Sequence, residues 1–231
     1  FDFMVEEERD VTHMVIYTQD HPGLFAEIAG ALTLAGVSVV DAKILTFANG
    51  MALDTFSFQD HEGQAVAAES RHARIKARVT AALEGRVRFK QELPKAGSRL
   101  PSRARAMEVP PRVIIDNTAS KMCSVIEVNA HDRPGFLSEV TKVIADLGLQ
   151  IFSAHITTYG ERVVDVFYVK DIFGMKVEHE SKIRQIREAL GTAIGVKEDA
   201  VSVRRRQPPE KSETKPHAKS KDKPQPKSAA E

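Results

Sequence analysis

Apolar and polar positions alternate in short blocks along this chain, and the blocks occur twice in the same order. Met14-Val-Ile-Tyr17 is a β-rich run closed by Asp20-His-Pro-Gly, a turn cluster in which proline sets φ and glycine lets the backbone approach closely. Leu24, Phe25, Ile28, Ala29, Leu32 and Ala35 then recur at helical spacing. Gly36 stands where a glycine ends a helix of about 14 residues. Val37 to Phe47 reads as a second strand, with Val40, Ala42 and Ile44 on one face and Val39, Asp41 and Lys43 on the other. Asn49-Gly50 is a hairpin signal leading into a third strand, Met51 to Gln59. Gln64 to Glu84 reads as a polar helix burying Ile75, Val79, Ala82 and Leu83, and Val87 to Gln91 as a fourth strand.

The second set follows the first at a fixed offset. Asp132-Arg-Pro-Gly repeats Asp20-His-Pro-Gly at 112 residues, and Gly148 follows Gly36, Ala154 Ala42, Ile156 Ile44 and Thr158 Thr46 at the same separation. After one residue is lost in a turn, Asp165 matches Asp54 and Asp171 matches Asp60 at 111. Ser124 to Ala130, a helix stripe from Phe136 to Leu147, Leu149 to Tyr159, Arg162 to Lys170, a helix marked by Ile183, Ile186 and Leu190, and a weak strand at Ala200 to Val203 complete the copy. The pattern is β-α-β-β-α-β twice. It predicts an α+β protein of two tandem ferredoxin-like domains, each an antiparallel sheet with both helices on one face. Residues 12–93 and 123–203 are the expected domains, 94–122 a Pro/Arg-rich connector, 1–11 a linker and 204–231 a disordered basic tail. The uncovered sheet faces carry Val15, Tyr17 and Val39, which points to pairing of the domains within one chain or between two.

Composition adds limits. With 231 residues, 42% apolar and 28% charged, the chain is ordinary for a globular protein holding two modest cores. No apolar run reaches the roughly 18 residues needed to span a bilayer, and no leader pattern opens the chain, so the expected location is the cytoplasm without membrane contact. The first residue, Phe1, points to a piece of a longer polypeptide. A single cysteine, Cys123, excludes an internal disulfide framework and a cysteine-cluster metal site. The net charge of +1 hides a tail with nine Lys/Arg against four acids from Arg204 to Glu231, read as a solvated terminus rather than a nucleic-acid arm.

Catalytic signatures are missing. There is no phosphate-binding loop, no His-Glu-x-x-His, no nucleophile elbow, and the eight histidines show no repeated ligand spacing, so no catalytic and no metal residues are expected. Binding fits better. Asp20 and Asp132 precede helix starts whose backbone N–H groups lack partners. Each aspartate therefore either caps its helix or sits at a site where a ligand carboxylate meets those N–H groups. Pro22-Gly23 and Pro134-Gly135 leave that backbone accessible. Asp41 and Lys43, with their counterparts Ser153 and His155, are second candidates for contacting a small polar ligand, or else belong to a solvated or interface sheet face. Asp54 and Asp165 alternate in phase with Phe56 and Phe167, near a core, with Lys43 or His155 as a salt-bridge partner.

Strand, Asp-x-Pro-Gly, helix and a later strand bearing Asp, in tandem, resemble the ACT domain. Val39-Val-Asp-Ala-Lys-Ile with Asn49-Gly-Met-Ala-Leu-Asp54, and Ser153-Ala-His-Ile with the run through Asp171, look like the C-terminal ACT pair of bacterial PII uridylyltransferase/uridylyl-removing enzymes. The resemblance implies a regulatory segment that senses an amino acid, glutamine, at Asp20, Pro22, Gly23, Asp132, Pro134 and Gly135. It also implies the nitrogen-signalling protein PII as partner through catalytic domains, served by magnesium, that this chain lacks. The same strand order serves RNA-recognition domains, but the Lys/Arg-Gly-Phe-Gly-Phe pattern is missing. A ferredoxin-like acyl-phosphate hydrolase would need an arginine loop that Arg133 supplies in only one copy.

Overall fold

The computed structural model describes residues 1–95, 110–159 and 162–196. Its strands are β1 (Asp2–Glu6), β2 (Val11–Gln19), β3 (Ser38–Thr46), β4 (Met51–Gln59), β5 (Arg112–Asp116), β6 (Ser124–His131), β7 (Leu149–Tyr159) and β8 (Arg162–Asp171). Its helices are α1 (Leu24–Leu34), α2 (Glu69–Leu83), the single turn α3 (Phe89–Glu92), α4 (Phe136–Asp146) and α5 (Glu180–Ile194). All eight strands join one antiparallel sheet in the order β1-β2-β4-β3-β7-β8-β6-β5. The α+β class and tandem ferredoxin-like reading hold, but the fourth strand of each repeat comes from the other end. β1 and β5 occupy the place expected of Val87 to Gln91 and Ala200 to Val203. The first of those segments is helical around Phe89, and the second lies outside the described residues. The segment 1–11, read as linker, thus contains a strand, and so does the connector 94–122.

The edge strands obey the repeat. Phe3 lies opposite Met14 and Ile115 opposite Ile126, both pairs 112 apart, so the duplicated unit begins upstream of β2. Local geometry favours this source: β1 returns into β2 through the 3-10 turn Glu7–Arg9, and closing so short a loop costs little chain entropy.

β3 and β7 would each be the exposed edge of a four-stranded sheet, and they cover one another. Asp41 pairs with His155, Ala42 with Ala154 and Lys43 with Ser153. Equivalent residues cross at Ala42 and Ala154, both 0% exposed, so the repeats are related by a local twofold through the seam. On one face α1 packs on α4, with α2 beside α1 and α5 beside α4. At the centre of that layer the Ser138 hydroxyl donates to the Ala26 carbonyl at 2.8 Å, again between equivalent positions. Phe56, Phe58, Phe167, Met14, Ile28, Ile126 and Ile144 fill the space between sheet and helices. Tyr17 and Leu45, on the opposite face, are more than half exposed.

Two departures from strict alternation matter. The β3–β4 register shifts between Val39 and Asp41, and the β7–β8 register between Ile151 and Ser153, at the same place in each repeat. The inserted residues are Val40 and Phe152. The bulge turns Val39, expected on the open face, inward opposite Phe58, and leaves Asp41 and Lys43 outward. α2 also starts later than expected, at Glu69. The approach is extended and tied to β2 by the Val66 N–H donating to Thr12 Oγ1 at 2.8 Å and Thr12 Oγ1 donating to the Val66 carbonyl at 3.1 Å. Val177 N–H donating to Ser124 Oγ at 2.9 Å repeats the tie in the second half.

Candidate functional site

The Asp-x-Pro-Gly loops shape their helices through glycine, not aspartate. Gly23 (φ 92°) and Gly135 (φ 80°) hold the N-cap positions of α1 and α4 in the left-handed region, and neither helix has a side-chain cap. Asp20 is instead held across the loop, its Oδ2 accepting from Thr46 Oγ1 at 3.0 Å. The capping explanation of Asp20 and Asp132 therefore falls away.

Each loop faces a pocket completed by the other repeat. A cavity of about 240 Å³ lies between Asp20, Pro22, Gly23, Thr46 and Asp54 of the first half and Gly148, Leu149, Gln150 and Ile151 of the second. A larger one, about 620 Å³, lies between Asp132, Pro134, Gly135, Thr158 and Asp165 of the second half and Gly36, Val37, Ser38 and Val39 of the first. Position for position these are the same pocket, generated twice by the local twofold. The helix-ending glycines Gly36 (φ 77°) and Gly148 (φ 72°) each form a wall of the opposite repeat's pocket. Their volumes lie below and within the roughly 300–1,000 Å³ typical of small-molecule sites. The two differ in charge. Arg74, Lys95 and Arg133 line the larger pocket, whereas no Lys or Arg lines the smaller.

At the floor of each pocket sits a carboxylate that residue patterning located but did not assign to the site. Asp54 (1% exposed) and Asp165 (0%) lie on the helix side of the sheet, opposite Ile44 and Ile156. Asp54 Oδ1 and both oxygens of Asp165 have no hydrogen-bond partner of good geometry. Burial pushes the Asp54 carboxyl up to about 7; the charge of Asp20 adds to the rise and the Leu45 backbone N–H opposes it. Burial likewise raises Asp165 to about 7, moderated by the Thr157 backbone N–H and reinforced by Asp132. Asp132 is itself raised by burial, against the Arg133 N–H and the nearby His131 and Arg133 charges. Lys43 and His155 do not partner these aspartates, because alternation along β3 and β7 puts them on the other face.

There the four second candidates meet at the seam. His155 Nδ1 is 2.6 Å from Asp41 Oδ1, Lys43 lies opposite Ser153, and the His155 ring stands edge-on to Tyr168 at 5.9 Å. They line neither pocket and instead join the two repeats across the open face. Among the described residues no group of three or more His, Cys, Asp or Glu is placed to hold a metal ion.

A family model, the ACR family N-terminal ACT domain, matches residues 119–197. The second repeat belongs to the ACT-domain family. The chain is 53% identical over 189 residues to a bifunctional uridylyltransferase/uridylyl-removing enzyme of Rhodospirillum rubrum, a match covering 82% of this chain and 20% of that protein. Proteins of the same description from Azospirillum brasilense (48% over 191 residues, 82% of this chain, 20% of that protein) and Gluconobacter oxydans (50% over 184 residues, 79% and 19%) are similar in the same way. The chain thus spans about a fifth of the length of the curated relatives it matches. The ACT match covers the second repeat, and the first carries the same fold at the same register. No helix among the described residues is long and apolar enough to cross a membrane.

Proposed function

We propose that this ACT pair is a regulatory, non-catalytic module that binds an amino acid, glutamine, in its two pockets. In the enzymes it resembles it would govern uridylylation and deuridylylation of PII by catalytic domains elsewhere, working in the cytoplasm. The observation that carries this reading is that neither pocket belongs to one repeat. The Asp-Pro-Gly loop of one half faces the Gly-ended helix and bulged strand of the other, so occupancy depends on how the halves sit together. A ligand that binds one placement better than another shifts the equilibrium by that difference in affinity, and this is the only way it can signal onward. For a metabolite sensed near its working concentration an affinity of about 1 mM, roughly 4 kcal/mol, suffices.

Calorimetry of glutamine against wild type, Asp20→Ala and Asp132→Ala tests it. Each substitution removes one loop carboxylate and is expected to weaken its own pocket by about tenfold, or about 1.4 kcal/mol, while leaving the other titrating. Absence of heat with glutamine and with every other amino acid would refute the sensing role.

A further inference from the structure

Asp54 and Asp165 are costly residues to keep. Each is a carboxylate enclosed beneath a pocket, in phase with core phenylalanines, with at least one oxygen unpartnered, and each has a second aspartate beside it, Asp20 or Asp132. The same arrangement appears in both halves, which removes local packing accident as its cause. We propose that these two floor carboxylates are the ammonium acceptors of the pockets. An α-ammonium group lowered onto Asp54 or Asp165 would meet a desolvated oxygen with open acceptor capacity and a neighbouring carboxylate of the same sign.

The assignment rests on the amino-acid reading given above and adds a proton to it. Around Asp54 the facing groups are Asp20 and His21 from the loop, with Thr46 and Gln150 as neutral neighbours and no Lys or Arg. Around Asp165 they are Asp132 and Arg133 from the loop, Asp60 and His61 beyond β4, Arg74 of α2, and Lys95. With burial and a like charge acting together, the free floor carboxyl holds its proton up to about pH 7. On binding, the carboxyl O–H breaks, the proton passes to solvent, and the carboxylate pairs with the ammonium; no covalent bond forms and no redox partner is needed. Affinity should then fall about tenfold for each pH unit below 7 and level off above it.

The test is calorimetry of glutamine into the whole chain at pH 6 and 8.5, each in buffers of different ionisation enthalpy, so that the dependence of heat on buffer counts protons released. About one proton per bound glutamine is expected at pH 6 and close to none at pH 8.5. Asp54→Asn and Asp165→Asn should each abolish release at one pocket and weaken it by tenfold or more at pH 8.5. The deaminated analogue 4-carbamoylbutanoate offers a second measurement needing no variant: it should bind wild type at least tenfold more weakly and release no proton. Glutamine binding at pH 6 with no proton released, or an analogue bound as tightly as glutamine, overturns the ammonium assignment while leaving the sensing role intact. No binding of glutamine at either pH overturns the sensing role and the assignment with it.

Discussion

Replacing Gly30 with leucine is expected to unseat the two repeats from one another. Gly30 lies on α1 where a Cβ would stand 2.7 Å from Cε1 of Phe89 and 2.9 Å from Oγ of Ser138 on α4. Ser138 holds the seam of the helix layer through its bond to Ala26, so a side chain at Gly30 must push aside both the α1–α4 contact and the ring that seals it. Overpacking of this kind costs about 1–3 kcal/mol, because the Phe89 ring and the Ser138 hydroxyl must both give way. For a chain of this size that lowers Tm by about 5–10 °C in a circular dichroism melt. Because both pockets are walled by the opposite repeat, glutamine binding should weaken at both together, unlike the one-sided losses from Asp20→Ala and Asp132→Ala. The position equivalent to Gly30 is the exposed Lys142, whose ammonium is 2.9 Å from Asp146 Oδ1. Lys142→Leu should change Tm little and serves as the control. A Gly30→Leu protein that melts with wild type would show that α1 and α4 do not meet this closely.

The second large effect is a loss of stability as pH rises. In the folded chain Asp54 and Asp165 keep their protons to about 7, while the unfolded chain releases them near the ordinary aspartate value of 3.8. Between those limits the native state binds more protons than the unfolded one, so the slope of unfolding free energy against pH is negative. The contribution is fully present below pH 3.8 and is lost as pH rises through about 7. Asp132, also raised, acts in the same direction. Asp60 has the opposite sign. Burial is the largest single influence and raises it, but the Gln64 and Glu62 N–H groups and Arg71 together outweigh that and leave it lowered, so its contribution disappears only below pH 3.8, outside this window. Urea unfolding at pH 5 and pH 8 should show wild type losing on the order of 5 kcal/mol across the interval, since each of the two groups contributes about 1.4 kcal/mol per pH unit up to about 7. The Asp54→Asn/Asp165→Asn double variant should lose less than about a quarter of that. A wild type equally stable at both pH values would mean that the two floor carboxyls are hydrated or partnered.

Why some of this was legible in the residues and some was not follows from the physics of each element. The duplication was plain because both copies keep the residues that their turns demand, Pro-Gly before each helix and glycine after it, and those choices do not depend on neighbours. The edge strands were hidden because an edge strand needs few inward residues. Phe3 and Val5 do that work in β1 beside a run of three glutamates, and Val113 and Ile115 do it in β5 next to a stretch rich in arginine. Val87 and Phe89 alternate as a strand should, but Phe89 is needed as a cover over Gly30, and the chain turns helical there. The bulges were invisible to strict alternation, although the adjacent apolar pair Val39-Val40 is the kind of signal that betrays an extra residue. Asp20, Pro22, Gly23 and their counterparts were found in a pocket because loop chemistry is local. Asp41, Lys43, Ser153 and His155 were not, since their place depends on β3 meeting β7, a contact between residues more than 100 apart. The same missing register led Asp54 and Asp165 to be matched with Lys43 and His155 across a sheet that separates them.

One experiment bears on the central claim, that equivalent pockets between the repeats take up an amino acid. In ¹H–¹⁵N spectra of the chain titrated with glutamine, the amides of Gly23 and Gly148 should shift together with one saturation curve and those of Gly135 and Gly36 with another, each pair bridging the two repeats. Shifts confined to Asp41, Lys43, Ser153 and His155 on the open face, or a spectrum unchanged at 10 mM glutamine, about ten times the expected dissociation constant, would contradict it.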